Sequence, residues 1–287
     1  MIDGRTRLVG VIGHPVEHSR SPAMHNAAFE ALGMNWRYLP FPVAPGTVET
    51  AVRGLATAGL AGLNVTIPHK QAVIPLLNTC SANVRRSNSA NTLVFTRAQG
   101  GEITIHGEST DPPGFLAALR GGGFDPGAQS RVIIAGAGGS ARAVSLALAE
   151  AGVTRVTILA RDLARAASLK EELAGGFESV SWQAGRLERA ALLDAAAQAD
   201  LLVNATPLGM WPQVNGTPWP EEEPFPNRLA VFDLVYNPRD TRLLQQARAS
   251  GALAIGGLEM LVQQGALSFQ MWTGTFPPLD VMRKAIS

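Results

Sequence analysis

Apolar residues in this chain follow two patterns that alternate from end to end. Short runs rich in Val, Ile and Leu read as buried strands: Leu8 to Ile12, Leu60 to Ile67, Val132 to Ala135, Val156 to Leu159, Asp200 to Asn204 and Val231 to Val235. Tyr38 to Val43, Ala90 to Thr96, Ile103 to His106, Ser181 to Ala184 and Leu253 to Ile255 read as further strands. Between them, helical spacing predicts helices over 22–32, 48–58, 69–77, 141–151, 241–249 and 257–272. Another helix opens at Thr110-Asp111 and runs to about Arg120. Ser21 with Pro22 and a closing Gly33 has the form of an N-cap, a first-turn proline and a terminator. Strands alternating with helices predict an α/β fold with mostly parallel sheets.

One stretch organises the rest. Arg131 to Asp162 reads strand, glycine-rich turn, helix, strand, and its turn, Gly136-Ala137-Gly138-Gly139-Ser140-Ala141, fits G-x-G-x-x-G/A. Gly136 suits the tight turn, Gly138 lets the backbone approach a pyrophosphate, and Ala141 allows close helix–strand packing. The amides of the helix start would face the anion. These residues predict a Rossmann dinucleotide site. The second strand ends on Ala160, followed by Arg161, with Arg165 one helical turn further on. Two guanidinium groups suit a ribose 2′-phosphate, so NADP is expected over NAD. Asp162 leaves three options open: a pair with Arg161, a cap on the next helix, or, in a shifted register, an NAD-type ribose contact.

Composition narrows the class. A chain of 287 residues suggests about two domains, and 46% hydrophobic with 16% charged residues is that of a globular protein with a sizeable core. A net charge of +1 offers no footprint for nucleic acid or an acidic membrane surface. The single cysteine, Cys80, excludes an internal disulfide framework. No apolar run approaches the roughly 18 residues of a membrane span, and Asp3, Arg5 and Arg7 are unlike a signal peptide. A cytoplasmic enzyme acting on a small molecule is the expectation, as a monomer or homodimer.

Two ionisable residues fall at predicted loop–helix junctions. Lys70 would lie in the first turn of the helix over 69–77, where the helix dipole disfavours a cation; a solvated lysine tolerating that cost is the plain alternative. Asp111 before Pro112 is a routine N-cap, a role compatible with catalysis. Ser19 and Ser21 are either a loop hydroxyl and a cap or two donors to a substrate carboxylate. His14, His18 and His25 lack the carboxylate or thiolate partners of a metal site. The stripe Leu258, Leu261, Val262, Leu267, Phe269 and Met271 reads as helix core.

Eight stretches carry a family resemblance in collinear order over nearly the whole chain. They are Gly13-His14-Pro15 with 18–26, Asn64 to Lys70, Asn91-Thr92, Thr110-Asp111, Gly136 to Gly139, Asn204 to Met210, Asp233 to Pro238, and Gly257 to Gln264. Together they resemble the shikimate dehydrogenases. The resemblance implies reversible NADP-dependent reduction of 3-dehydroshikimate to shikimate, in aromatic amino-acid synthesis. Carried over, Ser19 and Ser21 would hold the substrate carboxylate. Asn64, Thr66, Lys70, Asn91, Asp111 and Gln264 would surround the ring oxygens, with Tyr236 nearby. Lys70 and Asp111 would be the catalytic pair, and Thr206 and Met260 would join the glycine-rich turn at the cofactor. Four places depart from the family pattern: Ser109 and Pro112 around Thr110-Asp111, Ser87 to Ala90, and Ala160-Arg161-Asp162. The first three bear on substrate identity, the last on cofactor preference.

The expected organisation is a substrate domain over 1–110, completed by 257–287, and a Rossmann domain over 111–256, with the active site between them at the carboxyl ends of the strands. A paralogue acting on quinate or an aminoshikimate competes with the shikimate reading. So does a catalytically silent cofactor-binding regulator, against which both Lys70 and Asp111 argue.

Overall fold

The computed structural model describes residues 2–287. The chain opens with β1 (Arg7–Gly13), α1 (Ser21–Ala31), β2 (Trp36–Pro42), α2 (Val48–Thr57) and β3 (Gly62–Val65). A 3₁₀ turn at Ile74–Leu76 leads to β4 (Thr79–Cys80), α3 (Ala82–Ser87), β5 (Thr92–Arg97), β6 (Ile103–Glu108) and α4 (Asp111–Gly121). Then follow β7 (Arg131–Ala135), α5 (Gly139–Glu150), β8 (Arg155–Ala160), α6 (Leu163–Ala174), β9 (Ser181–Arg186), α7 (Arg189–Ala196) and β10 (Leu201–Asn204). The chain closes with β11 (Ala230–Asp233), α8 (Arg242–Ala249), β12 (Ala254–Gly256), α9 (Leu258–Thr273) and α10 (Leu279–Ala285). It divides into two compact units, 1–114 with 262–287, and 115–261. Neither cut coincides with the expected ones after 110 and before 257; each falls inside a helix, α4 or α9.

In the first unit the sheet order is β2-β1-β3-β5-β6-β4. β1 runs parallel to β2 and β3, and β4 parallel to β6, while β5 is antiparallel to both of its neighbours. The sheet is therefore mixed. One face packs Ile12, Leu63, Val65, Leu93 and Ile105 against Val48 and Val52 of α2.

The second unit is a wholly parallel sheet in the order β12-β11-β10-β7-β8-β9. Alternate residues of one strand serve opposite faces. Val132 and Ile134 pack with Phe115, Val144 and Ala166 of α4, α5 and α6, while Ile133 and Ala135 pack with Leu192 of α7 and Leu243 of α8. Burial on both faces is why these strands read as unbroken apolar runs. The order reverses between β7 and β10, the switch point where ligands of open α/β sheets bind.

Several local expectations fail for identifiable reasons. The helix over 69–77 does not form; the segment is turns ending in the 3₁₀ turn. Pro75 would fall inside it, lacking an N–H and clashing with the preceding turn. Ser21 does not cap α1: the cap position is Arg20, with no side-chain cap bond. Asp111 is the first helical residue of α4 rather than its cap. Met271 is 39% exposed, outside the core expected of its stripe. β4, α3, α7 and α10 have no counterpart among the predicted elements.

Candidate functional site

In the first unit, five of the predicted substrate and catalytic residues join one hydrogen-bonded assembly. Lys70 sits in a turn beyond β3, anchored by His69, whose buried ring bonds the Val43 carbonyl at 2.7 Å. Asp111 heads α4. Lys70 Nζ donates to Asp111 Oδ2 at 2.5 Å, across 41 residues of sequence, with the side chains 22% and 13% exposed. Asp111 Oδ1 accepts from Asn91 Nδ2 at 2.8 Å. The carboxylate is thus oriented by two donors. Two ammonium hydrogens of Lys70 have no partner among the described residues.

Asn91, 3% exposed between β3 and β5, is the hub. Its Oδ1 accepts from the Thr110 amide at 2.8 Å, and its Nδ2 reaches Thr110 Oγ1 at 2.9 Å and Gln264 Oε1 on α9 at 3.3 Å. Asn64, on β3, donates from Nδ2 to the Asn91 carbonyl at 3.1 Å, Thr92 Oγ1 at 3.2 Å and Ser268 Oγ at 3.0 Å. Its Oδ1 accepts from the Tyr38 hydroxyl at 2.8 Å. Ser21 is buried, and its amide donates to Ser19 Oγ at 3.3 Å. Thr66 follows β3, its amide held by the Ile12 carbonyl at 2.9 Å. A chain of contacts therefore runs from Tyr38 through Asn64, Asn91 and Asp111 to Lys70. Unpaired polar groups at this depth would cost about 1–3 kcal/mol each.

Tyr38, Thr92, Thr110 and Ser268 were not among the predicted site residues. Each is buried: Tyr38 is 1% exposed, and Thr92, Thr110 and Ser268 are fully buried. The available signal was a polar group at an apolar position, as at Ser268, one turn after Gln264 in the apolar stripe of α9.

In the second unit, Gly136 has φ +116, a conformation that glycine adopts readily. A Cβ there would lie 2.7 Å from the Ala205 carbonyl oxygen, so the glycine lets the turn after β7 lie against the loop after β10 that carries Thr206. Gly138 occupies the cap position of α5 without a side-chain cap bond. Cβ atoms at Gly138 and Gly139 would meet nothing within 4 Å. Ala137 and Ser140 are half-buried beside them, and Ala141 is packed into the core. Uncapped amides at a helix start, with open space before them, fit a dinucleotide pyrophosphate.

Ala160 is buried and Arg161 exposed, the latter with no partner among the described residues. Asp162 takes the capping option: it accepts from the Ala164 and Arg165 amides at 3.0 and 3.4 Å. Its other oxygen lies 3.5 Å from Arg165, whose side chain is 79% exposed. Such a surface pair contributes little and leaves Arg165 available to an incoming phosphate.

Thr206 is set by Asn204, whose Oδ1 accepts from the Thr206 amide at 3.0 Å and its hydroxyl at 2.6 Å. Asn204 Nδ2 donates to Asp233 Oδ1 at 2.9 Å, and Thr241 donates to Oδ2 at 2.6 Å. Burial raises the Asp233 pKa, and these donors oppose the rise. Tyr236 is half-buried in the loop after β11, and Met260, 8% exposed, belongs to the apolar cluster around Phe115. Among the described residues no group of three or more His, Cys, Asp or Glu side chains is placed to hold a metal ion. Nor, among them, is any helix long and apolar enough to cross a membrane.

Comparison with known proteins gives consistent matches along the chain. Residues 11–93 match the family described as shikimate dehydrogenase substrate binding domain. Residues 122–218 match shikimate / quinate 5-dehydrogenase, and residues 257–286 the shikimate 5′-dehydrogenase C-terminal domain. A shikimate dehydrogenase (NADP(+)) of Methanopyrus kandleri is 47% identical over 286 residues, covering 99% of this chain and 96% of the relative. A crystal structure of a shikimate dehydrogenase in complex with NADP+ superposes with a TM-score of 0.89 at 36% identity, covering 100% of this chain and 96% of the other. The shikimate 5-dehydrogenase of Thermus thermophilus in complex with NADP(H) and shikimate gives a TM-score of 0.84 at 37% identity, with 98% of both chains covered.

Proposed function

The chain belongs to the shikimate dehydrogenase family, and on that premise we propose that it catalyses the reversible NADPH-dependent reduction of 3-dehydroshikimate to shikimate. In this reading the first unit binds the cyclic acid and the second binds NADP. The enzyme works in the cytoplasm as a monomer or homodimer on small molecules alone.

The observation that carries the chemistry is the Lys70–Asp111 pair. When bound, NADPH supplies the hydride that reduces the ketone carbon. Negative charge then develops on the ketone oxygen, and a positioned cation with protons to give is what that charge requires. Lys70 fits: one N–H is held by Asp111 and two remain to meet the oxygen. Asp111 keeps the ammonium in place and, with one oxygen on Asn91, cannot rotate away. In the reverse direction Lys70 and Asp111 take the hydroxyl proton as hydride leaves carbon. Ser19 and Ser21 grip the substrate carboxylate, and Asn64, Thr66, Asn91, Gln264 and Tyr236 meet the ring oxygens. Gly136 to Ala141, Thr206 and Met260 bind the dinucleotide. Ala160, Arg161 and Arg165 meet the ribose end, the two arginines giving the preference for the 2′-phosphate.

The departures at Ser87 to Ala90, Ser109 and Pro112 bear on substrate identity, and the alternative is a paralogue acting on quinate or an aminoshikimate. Initial rates with shikimate and quinate, each with NADP and NAD, test the assignment; faster turnover of quinate or of NAD overturns the corresponding part. Lys70→Ala and Asp111→Asn should each lower kcat by roughly 10²–10⁴-fold. The double variant should be little worse, because the pair acts as one unit. NADP affinity should be retained throughout. Near-normal kcat in Lys70→Ala sinks the mechanism without touching the dinucleotide site.

A further inference from the structure

We infer that Tyr38 is a positioning residue for the substrate: its phenol fixes the Asn64 amide so that the substrate meets an acceptor, Asn64 Oδ1, and not a donor. The inference rests on the reading above in which Asn64 faces the substrate ring.

Hydrogen-bond bookkeeping sets the orientation. Asn64 has one carbonyl oxygen and one NH₂ group, which the network must tell apart. One end faces the Asn91 backbone carbonyl at 3.1 Å. A carbonyl can only accept, so that end is the nitrogen. Ser268 and Thr92 crowd the same end at 3.0 and 3.2 Å, leaving neither amide hydrogen over for a ligand. The other end is therefore Oδ1, and the Tyr38 hydroxyl donates to it at 2.8 Å. Tyr38 is the one donor to that oxygen among the described residues. A carbonyl oxygen accepts two hydrogen bonds, so the second is left for a substrate hydroxyl.

Tyr38 is held for this task. Its backbone on β2, an edge strand, is clamped by Asn26 of α1: Asn26 Nδ2 donates to the Tyr38 carbonyl and the Tyr38 amide donates to Asn26 Oδ1, both at 2.9 Å. The ring stacks parallel on His25 with centroids 4.4 Å apart, and Trp272 lies tilted against it at 6.0 Å. Burial pushes the phenol pKa up, so the hydroxyl keeps its proton. A group assigned to the substrate thus leans on a phenol that is itself too buried to touch it.

Tyr38→Phe removes one oxygen and keeps the stack. Its KM for shikimate should rise roughly 5–20-fold, the effect of one hydrogen bond, with kcat within about twofold, as for lost ground-state binding. The NADP Kd, read by tryptophan fluorescence, should not move. Asn64→Ala should raise KM at least as much, and adding Tyr38→Phe to it should raise KM no further. An unchanged KM in Tyr38→Phe with a raised KM in Asn64→Ala overturns the role of Tyr38 and leaves the Asn64 reading standing. Additive effects overturn it as well. An unchanged KM in Asn64→Ala removes the substrate reading of Asn64 and this inference with it. A lowered melting temperature with unchanged KM makes Tyr38 core only.

Discussion

His25 should make the protein acid-sensitive through a single side chain. It lies on α1 with no exposed surface, neither ring nitrogen has a hydrogen-bond partner, and the ring stacks on Tyr38 and, at 6.1 Å, on Phe269. Burial with no compensating group lowers its pKa from the ordinary 6.5 to about 3. The unfolded chain takes up a proton below pH 6.5 and the folded chain does not, so stability falls with pH from there down to about 3. The resulting loss between pH 7 and pH 5 is about 2 kcal/mol from this residue alone. Asp233 acts in the opposite sense: its pKa is raised in the folded state, so protonating it as the pH falls favours folding. A variant is needed to separate the two. His25→Phe keeps the stacking and cannot titrate. Urea unfolding at pH 7 and pH 5 should show the wild type losing about 2 kcal/mol more than His25→Phe between the two conditions. Any overpacking by the larger ring shifts the variant equally at both pH values and drops out of the comparison. Equal losses in the two proteins would refute the argument, and would mean that His25 is protonated, or reached by water, in the folded state.

Two further outcomes follow from particular contacts. Arg161→Ala should weaken NADP binding by about 1.5–3 kcal/mol and leave NAD binding nearly unchanged; titration calorimetry with both nucleotides checks this, and an unchanged NADP/NAD ratio removes Arg161 from the 2′-phosphate. Gly62→Ala should lower stability by roughly 1–3 kcal/mol or more, because its Cβ would collide with the Leu93 carbonyl and Trp272 Nε1, which are themselves hydrogen-bonded at 3.0 Å; a melting temperature equal to wild type would show that α9 can shift freely off β3.

The two units differed in how far their sequence could be read. In the second, the inner strands, buried on both faces, produce uniform apolar runs, and the glycine-rich turn marks the start of α5, so most of the strand–helix alternation was legible from local pattern, α7 excepted. In the first, half-buried strands and prolines blur the pattern. Pro75 and the His69–Val43 bond replace a predicted helix with turns, and with that helix goes the argument that a helix dipole makes Lys70 costly. Lys70 was singled out for a reason the fold does not support, and its significance came from the resemblance.

The least legible part of the site is the set of residues that orient it. A serine in the stripe of α9 or a threonine opening β5 is compatible with core packing, and nothing near either in sequence names its partner. Ser268 meets Asn64 across 204 residues and Thr92 across 176. Hydrophobic periodicity reports which face of an element is buried, because every apolar neighbour rewards burial about equally. A buried hydrogen bond depends on one particular atom of one particular partner, and that choice is made by the sheet order β2-β1-β3-β5, which puts Asn64 and Thr92 on adjacent strands and Tyr38 on the far side of β1 from Asn64. Groups that meet substrate can be proposed from their chemistry; groups that hold them become visible only once the strand order is known.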